Sequence, residues 1–384
     1  MPSNASFQQR HGLLFATAMI VMMCVGQTFF FGTPAYVGMM AEQWRLPESQ
    51  LGQLVTAEIL GNSAGALALA FLMTGLPVRR VVAVSLLALV LSNALMSTHP
   101  SFGLCLLLRT LSGAACGALS GVAMRYLSAG AGAEKRLGAA VMAQNVHSML
   151  LLSFVLPGLV TLQNGLLLIS GAGVLCAVVL GCFSRSEALV PEHSAGPAPV
   201  KGGIYLSLGS LFMLYGGVGV AWTFVERIGV STGLNAEQVG QLLGASTMLS
   251  LLGCVVAPLL IAKGHRYSGA LISLLICAAS AAMMALPMTP QSFSVAAFLF
   301  QLGWSASAIM MFATLPLYDG IGRHVAAGPG VLGLGYGAGS MLGGELMESV
   351  SPQAAYGVGA LWFLAATLLY ALLLRVRTNA AAPH

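Results

Sequence analysis

The sequence is poor in charged residues. Asp, Glu, Lys and Arg make up 7% of its 384 residues, whereas a soluble globular domain carries roughly 25%. Hydrophobic residues account for 57%, and the mean hydropathy is +0.87. This scarcity of charge excludes an ordinary water-soluble domain and indicates a chain that folds in a lipid bilayer.

The sequence also lacks the patterns that hold metals, nucleotides or disulfides. Its seven cysteines form no C-x-x-C pair and all fall inside apolar runs, so we interpret them as small packing residues. The glycine-rich stretch 328–344, "GPGVLGLGYGAGSMLGG", lies within an apolar run and does not follow a strand, which argues against a dinucleotide-binding loop. No convergent nucleophile and base is evident. We therefore expect no cofactor, no metal and no enzymatic activity.

Long apolar runs fill most of the chain. A helix that crosses a bilayer needs about 20 mainly apolar residues, and the first run is too long for a cleaved signal peptide, whose core is about 7 to 15 residues. The sequence therefore predicts an all-α membrane protein with twelve transmembrane helices. The predicted helices are residues 13–40, 51–75, 80–98, 101–124, 137–160, 164–183, 204–228, 238–262, 268–288, 292–316, 327–348 and 353–374.

The distribution of basic residues supports this count. Cytoplasmic loops of membrane proteins retain Lys and Arg, and with both termini in the cytoplasm thirteen of the sixteen basic residues fall in cytoplasmic segments. The net charge of +5 is thus a signal of topology and does not indicate a nucleic-acid partner. The thirteen are Arg10, Arg79, Arg80, Arg125, Lys135, Arg136, Arg185, Lys201, Lys263, Arg266, Arg323, Arg375 and Arg377.

One polar nonapeptide occurs twice. Residues 46–54 read "LPESQLGQL" and residues 234–242 read "LNAEQVGQL", an offset of 188 positions. Six predicted helices separate the copies, so the two halves have the same orientation. Residues 184–203, rich in Pro, Gly and Ser, interrupt the apolar runs at the midpoint and suit a linker. The sequence predicts pseudo-symmetric six-helix bundles at 1–183 and 204–384, joined by a cytoplasmic linker at 184–203.

The nonapeptides are predicted to start helices 2 and 8 on the outer side. Proline and an acidic residue are favourable at a helix N-terminus, and Pro47-Glu48 and Ala236-Glu237 take these places. The Gly-Gln pair that follows in each copy would let helices approach closely. We interpret the repeat first as structural; closing an outer gate is the second interpretation.

Predicted helix 4 carries a family motif. Its segment "LLLRTLSGAACGA" resembles the R-x-x-x-G helix-4 motif of the major facilitator superfamily, with Arg109, Gly113 and Gly117 in the motif positions. The loop before helix 3 keeps the family's basic pair as Arg79 and Arg80 but has no Asp. The resemblance extends over essentially the whole chain and implies two six-helix bundles with parallel orientation.

This resemblance implies a secondary transporter that exposes one central site alternately to each side of the membrane. We expect proton-coupled export of a small organic or amphipathic compound by antiport, with the chain acting as a monomer in a bacterial inner membrane. The alternatives are proton-linked import of a small metabolite and a membrane sensor that does not transport.

Two charged residues are predicted inside the membrane. A charge at the bilayer centre costs roughly 2.5 to 3.5 kcal/mol on insertion scales, so each one needs an explanation. Arg109 in helix 4 and Glu58 in helix 2 are predicted to lie roughly 12 and 10 Å from the outer side. We predict that they face the central cavity and take part in substrate binding and proton transfer; the alternative is a fixed ion pair between helices 2 and 4.

Polar side chains elsewhere in the first half are further candidates. Histidine titrates near neutral pH, so His147 in helix 5 is either part of a proton relay or a packing residue. Four amide residues in predicted helices 1, 2 and 5 could add hydrogen-bonding groups to the site. They are Gln27, Asn62, Gln144 and Asn145.

The second half supplies a predicted aromatic and amide wall. Aromatic residues in membrane helices more often serve packing or interface anchoring, so recognition of a flat or amphipathic ligand is the more specific of two interpretations. Glu226 is placed near the outer mouth, either at interface depth or as a gating or substrate-capture group. The candidates for the wall are Trp222, Gln301, Trp304 and Tyr336, and Tyr215 of helix 7 is a further candidate site residue.

Overall fold

The fold is helical throughout its regular elements. The computed structural model describes residues 4–71, 76–127, 133–159, 161–181, 202–318 and 323–381, so residues 184–201 of the predicted linker lie outside it. The helices are α1 Asn4–Gly26, α2 Thr28–Trp44, α3 Glu48–Phe71, α4 Val78–Met96, α5 Phe102–Leu127, α6 Ala133–Leu150, α7 Leu156–Gly158, α8 Leu162–Gly181, α9 Gly203–Ser231, α10 Ala236–Ala262, α11 Arg266–Met284, α12 Pro290–Phe312, α13 Arg323–Ser349 and α14 Pro352–Ala381, with a π-helical turn at Leu151–Val155 and a 3-10 turn at Leu315–Leu317.

Nine segments of the described chain are long and apolar enough to cross a membrane. Three further helices are shorter or more polar: the apolar part of α8 spans Leu162–Val178, and α3 and α13 contain many polar and glycine residues. The nine segments are Leu14–Trp44, Val78–Met96, Phe102–Leu127, Lys135–Gly158, Gly203–Ser231, Ala236–Ala262, Arg266–Met284, Pro290–Leu317 and Pro352–Leu374.

Two predicted helices are not continuous. The first is interrupted at Gln27, whose backbone N–H lies 3.2 Å from the carbonyl oxygens of both Met23 and Cys24. The fifth changes to a π-helical turn at Leu151–Val155, directly before Pro157. Proline has no N–H to offer the carbonyl four residues earlier and its ring clashes with that carbonyl, so the backbone widens at this turn.

Contacts between helix ends define two faces of the molecule. At one end Arg227 of α9 donates to Glu48 of α3 over 3.2 Å, and we call this end the Glu48 face. At the other end the Tyr318 hydroxyl lies 3.0 Å from that of Tyr267, and the Tyr318 ring packs against Gly203 at the start of α9. We call this end the Tyr318 face. Helix α9 therefore runs from the Tyr318 face to the Glu48 face.

Both nonapeptides begin a helix, as predicted. The first copy leads into α3 at Glu48, and the second leads into α10 at Ala236. Asn235 caps α10: its side chain accepts the backbone N–H of Gln238, and the Gln238 side chain accepts the N–H of Asn235. Such a capping box satisfies backbone donors that the helix itself leaves free.

Glycines bring α3 and α5 into backbone contact. A β-carbon on Gly113 would overlap the carbonyl oxygen of Glu58, and one on Gly117 would overlap that of Asn62. Small residues allow membrane helices to approach this closely, and close packing is a main source of stability between helices in lipid. The motif glycines of predicted helix 4 thus set the α3–α5 distance and hold Glu58 next to α5.

We expect Gly113→Ala to destabilise the protein by about 1–3 kcal/mol, because the new methyl group would have to separate α3 from α5. Gly171→Ala is the matched control: Gly171 is also in a helix, but a β-carbon there would contact nothing within 4 Å. Thermal unfolding in detergent micelles measures both. Equal midpoints for the two variants would show that the α3–α5 contact does not depend on glycine.

Candidate functional site

The two buried charges of the first half form an ion pair. Nη1 of Arg109 lies 3.4 Å from Oε2 of Glu58, and the two residues are 0% and 3% exposed. Nη2 of Arg109 donates to Oδ1 of Asn93 over 2.6 Å, and the guanidinium lies 4.5 Å from the centre of the Phe29 ring. The Ser112 hydroxyl donates to Oε1 of Glu58 over 3.3 Å. Side chains from α2, α3, α4 and α5 thus enclose the pair.

This arrangement corresponds to the alternative of a fixed ion pair. Arg109 and Glu58 are not among the residues that line the two cavities described below. An enclosed pair joins α3 to α5, and removing one partner would leave the other charge buried. Asn62, one turn further along α3, is half-buried, with its backbone against Gly117. A role of the pair in proton transfer stays a prediction.

Polar residues connect the break in the first predicted helix to its neighbours. The Gln27 amide donates to the Ser120 hydroxyl on α5 over 2.9 Å. Nε2 of His147 lies 3.2 Å from the hydroxyl of Thr28, the first residue of α2, and the Phe31 ring lies edge-on to the imidazole with 6.5 Å between ring centres. His147 therefore has a hydrogen-bond partner and is half-buried, which leaves both its packing and its relay interpretation open.

A cavity of about 190 Å³ lies between the two halves of the chain. It brings together six of the predicted site residues, two from α6 and four from α9 and α12. We call it the central cavity. Its lining residues are Phe30, Phe31, Val141, Gln144, Asn145, Ser148, Tyr215, Trp222, Thr247, Ser250, Cys254, Gln301, Trp304, Ser305, Ala308 and Ile309.

Aromatic rings form one wall of the central cavity. The ring centres of Trp222 and Trp304 are 5.9 Å apart, and Phe30 lies 6.3 Å from Trp304. The Trp222 indole N–H donates to the backbone carbonyl of Phe30 over 3.4 Å, so this wall joins α9 to α2. The described lining contains amides and hydroxyls but no acidic or basic side chain. Such a surface suits a flat ligand with a few hydrogen-bonding groups.

Tyr336 is placed behind this wall. Its side chain is fully buried, and its ring centre lies 5.6 Å from that of Phe30. It therefore supports a lining residue and is not itself among the lining residues of the central cavity.

The predicted site residues do not include the small polar residues of α10. Thr247, Ser250 and Cys254 line the central cavity at positions i, i+3 and i+7, which share one face of a helix. This small polar stripe in an otherwise apolar helix was the available signal. Phe30 and Phe31 gave no such signal, because aromatic residues are common on every face of a membrane helix.

Glu226 is buried, with 3% exposure, and lies near the Glu48 face; its interpretations as a residue at interface depth and as a gating or substrate-capture group both stay predictions. Its carboxylate packs against Gly38 of α2, and Oε2 is buried without a hydrogen-bond partner. Gly38 and Glu226 are 188 positions apart, the offset of the nonapeptides. The neighbouring Arg227 is half-buried and bound to Glu48.

A second cavity, of about 230 Å³, lies beside Glu226 near the Glu48 face. We call it the acidic pocket. Its lining residues are Ala35, Gly38, Met39, Glu42, Gln43, Leu152, Leu156, Pro157, Leu159, Glu226, Ala236, Glu237, Gly240 and Leu243.

Comparisons with known proteins agree with this architecture. Two crystal structures of the nucleoside transporter NupG are similar in fold. One, of a single-residue mutant, has a TM-score of 0.74 at 11% identity and covers 94% of this chain and 99% of that chain; the other has 0.71 at 11% identity and covers 95% and 99%. No curated protein sequence matches.

A family model described as the Major Facilitator Superfamily matches residues 18–319. The match covers most of the chain and both sides of the central cavity. It also includes the helix-4 motif at Arg109. The chain therefore belongs to the major facilitator superfamily of membrane transporters.

Proposed function

We propose that the protein is a secondary transporter that moves a small organic or amphipathic compound by alternating access, with proton-coupled export as its direction and energy source. The observation that carries the proposal is the central cavity itself. Both halves of the chain contribute to it, with Phe30 and Gln144 from the first and Trp222 and Gln301 from the second. A site shared by two halves can be exposed to either side when the halves rock against each other.

The proposal includes twelve membrane crossings in two bundles, at 1–183 and 204–384. The nine apolar segments, together with α3, α8 and α13, make twelve. The helix ends that meet at the Glu48 face and at the Tyr318 face fit an alternating path of the chain through the membrane. Polar residues in α3 and glycines in α13 make these two helices less hydrophobic than the nine apolar segments.

Close contacts at the Glu48 face support alternating access. A β-carbon on Gly52 would overlap the carbonyl oxygen of Ser340 in α13, and one on Gly240 would lie 2.8 Å from that of Leu152. Gly52 and Gly240 are equivalent residues of the two nonapeptides, and each meets the other half of the chain. The central cavity lies further toward the Tyr318 face. These contacts would form the closed gate of one state in the transport cycle.

The lining of the central cavity favours a neutral or amphipathic substrate with a flat apolar part. Ring faces supply the apolar contact, and the amides of Gln144, Asn145 and Gln301 supply hydrogen bonds. A nucleoside, the substrate class in the name of NupG, has a flat base and several polar groups, so nucleosides belong in a ligand screen beside amphipathic compounds. Uptake of such a metabolite is the alternative to export.

We assign the Tyr318 face to the cytoplasm of a bacterial cell with the protein as a monomer in the inner membrane. The basic residues near the ends of α4, α5, α6 and α10 support this orientation by the positive-inside rule. Labelling of single introduced cysteines with an impermeant maleimide tests it, since both termini should be accessible only from the cytoplasmic side.

Transport is tested in proteoliposomes. Counterflow of a compound found by thermal-shift screening separates a carrier from a sensor, because a sensor binds the compound without exchanging it across the membrane. An imposed pH gradient should then drive net movement if protons are coupled. Full gradient-driven activity in both Arg109→Lys and Glu58→Gln would remove these two residues from the coupling mechanism.

We expect Trp304→Ala to weaken substrate binding and transport at least tenfold, because the indole forms a central part of the aromatic wall. Trp44→Ala is the matched control, since Trp44 packs on His99 near the Glu48 face and lies outside the central cavity. Initial rates of counterflow measure the effect. Equal losses in the two variants would indicate a general effect of removing tryptophan and would count against the central cavity as the substrate site.

A further inference from the structure

The acidic pocket lies directly beyond the central cavity along the same helices. On three helices one residue lines the central cavity and another, four positions away, lines the acidic pocket. Four residues span about one helical turn, or roughly 6 Å. The two cavities are therefore stacked along these helices, with the acidic pocket nearer the Glu48 face. The residue pairs are Trp222 and Glu226, Ser148 and Leu152, and Thr247 and Leu243.

The acidic pocket differs from the central cavity in charge. Three carboxylates line it, Glu42, Glu226 and Glu237, and its described lining contains no basic side chain. Glu42 and Glu237 are exposed at the rim, while Glu226 is 3% exposed. The pocket thus has a negative rim that is open to water and a buried carboxylate at its inner end.

One oxygen of the buried carboxylate lacks a hydrogen-bond partner. Oε2 of Glu226 is shielded from water and forms no hydrogen bond. Arg227 follows it on α9, but successive helical residues point about 100° apart, and Nη2 of Arg227 donates to Glu48. A buried charged oxygen needs a counterion or a hydrogen-bond donor to offset its desolvation, and a cation bound in the pocket would supply both.

The surroundings of Glu226 indicate the kind of cation. No group of three or more His, Cys, Asp or Glu within the described residues could hold a metal ion. Apolar side chains such as Leu156 and Leu243 also line the pocket. The volume of about 230 Å³, similar to the 190 Å³ of the central cavity, leaves room for a small organic molecule. These features fit a small ion with N–H donors and a short apolar part.

We propose that the acidic pocket binds a small organic ammonium ion, with Glu226 as its main counterion and Glu42 and Glu237 as the negative rim. The site is distinct from the central cavity and is reached from the Glu48 face. The proposal rests on the proposed function in one respect only. In a transporter, this pocket would be the substrate-binding site of the pathway at the Glu48 face, and it would select amines there.

The test uses the purified full chain in detergent micelles and benzylammonium as the probe. Isothermal titration should show binding of benzylammonium that is at least tenfold tighter than binding of benzyl alcohol, which has the same ring but no charge. Tetramethylammonium, which has no N–H donor, should also bind more weakly. Equal affinity for benzylammonium and benzyl alcohol would overturn the proposal without any variant being needed.

Variants then assign the site. Glu226→Gln should weaken benzylammonium binding about tenfold or more, the size expected for loss of a charged hydrogen bond, while Glu226→Asp should retain part of the affinity. Glu345→Gln is the control because Glu345 is exposed and lies outside the pocket. Trp304→Ala, in the central cavity, should leave this affinity nearly unchanged. Unchanged binding in Glu226→Gln, or loss of binding in Trp304→Ala, would overturn the assignment.

The proposal and the transport function fail in different ways. Binding that depends on Glu226, without counterflow of any ligand, would remove the transport proposal and leave the ammonium site. Counterflow of a neutral compound, without ammonium binding that depends on Glu226, would remove the site and leave transport.

Discussion

Replacing Arg109 with methionine is expected to destabilise the protein by about 3–5 kcal/mol, the cost of leaving a buried charge without its partner. The guanidinium that neutralises Glu58 would be lost, and Asn93 would lose the donor that now lies 2.6 Å away. Both carboxylate oxygens of Glu58 lie between α3 and α5 in a region closed by backbone contacts at Gly113. A movement of α3 or α5 that would relieve the unpaired Glu58 carboxylate is therefore unfavourable.

The double variant Arg109→Met with Glu58→Gln should recover much of this loss, because no net charge then remains buried. A buried ion pair is often replaceable by neutral groups at little cost even when the loss of one partner is severe. Recovery in the double variant relative to the single one is the signature of direct coupling between the two residues. The measurement is the free energy of unfolding in mixed micelles, with all variants under the same conditions.

Arg79→Met is the control for this experiment, since Arg79 is exposed at the start of α4 and surface substitutions usually change stability by less than about 0.5 kcal/mol. A small effect of Arg109→Met alone would contradict the fixed pair. It would mean that Glu58 is neutral when unpaired, and this result would favour the interpretation that Glu58 takes up and releases protons.

The coarse architecture could be predicted from the sequence because the bilayer imposes it. A spanning helix must be long, apolar and internally hydrogen-bonded, so composition and run length predict helices without knowledge of their neighbours. The interruptions are harder to predict. Pro157 signals a disturbance, but the π-helical turn before it depends on how the neighbouring helices fill the widened backbone. The break at Gln27 has no proline at all, and its amide is held by Ser120 on a different helix.

The residue types of the site could be predicted from the sequence, but the directions of their side chains could not. Polar and aromatic residues such as Gln301 and Trp304 are unusual enough in membrane helices to be identified as candidates, and the central cavity contains them. Distance from a helix end gives depth, whereas the direction of a side chain around the helix depends on packing. Arg109 thus points to Glu58 and Asn93, and Glu226 is buried by contact with Gly38, a residue of the other half.

Replacing Gly52 with leucine is expected to reduce transport at least tenfold while leaving a folded protein. Even a β-carbon at this position would overlap the Ser340 carbonyl oxygen of α13, and a backbone carbonyl cannot move aside as a flexible side chain can. The contact between α3 and α13 at the Glu48 face could then form only if the helices separate. If that contact is the closed gate of one state, the variant should favour the state that is open to the Glu48 face.

The native Cys254 reports this shift because it lines the central cavity. In the unaltered protein the close helix contacts at the Glu48 face should shield Cys254 from an impermeant maleimide added on that side. In Gly52→Leu the thiol should react faster, and Cys254→Ser provides the background of labelling.

Gly103→Leu is the matched control, because Gly103 lies at the start of α5 on the same face and a β-carbon there would contact nothing within 4 Å. Normal transport in Gly52→Leu would show that close approach of α3 and α13 is not required in the cycle. An equal loss in Gly103→Leu would attribute the effect to leucine at this face and not to the gate. The two outcomes together decide whether the repeated Gly-Gln segments serve packing alone or also the movement between states.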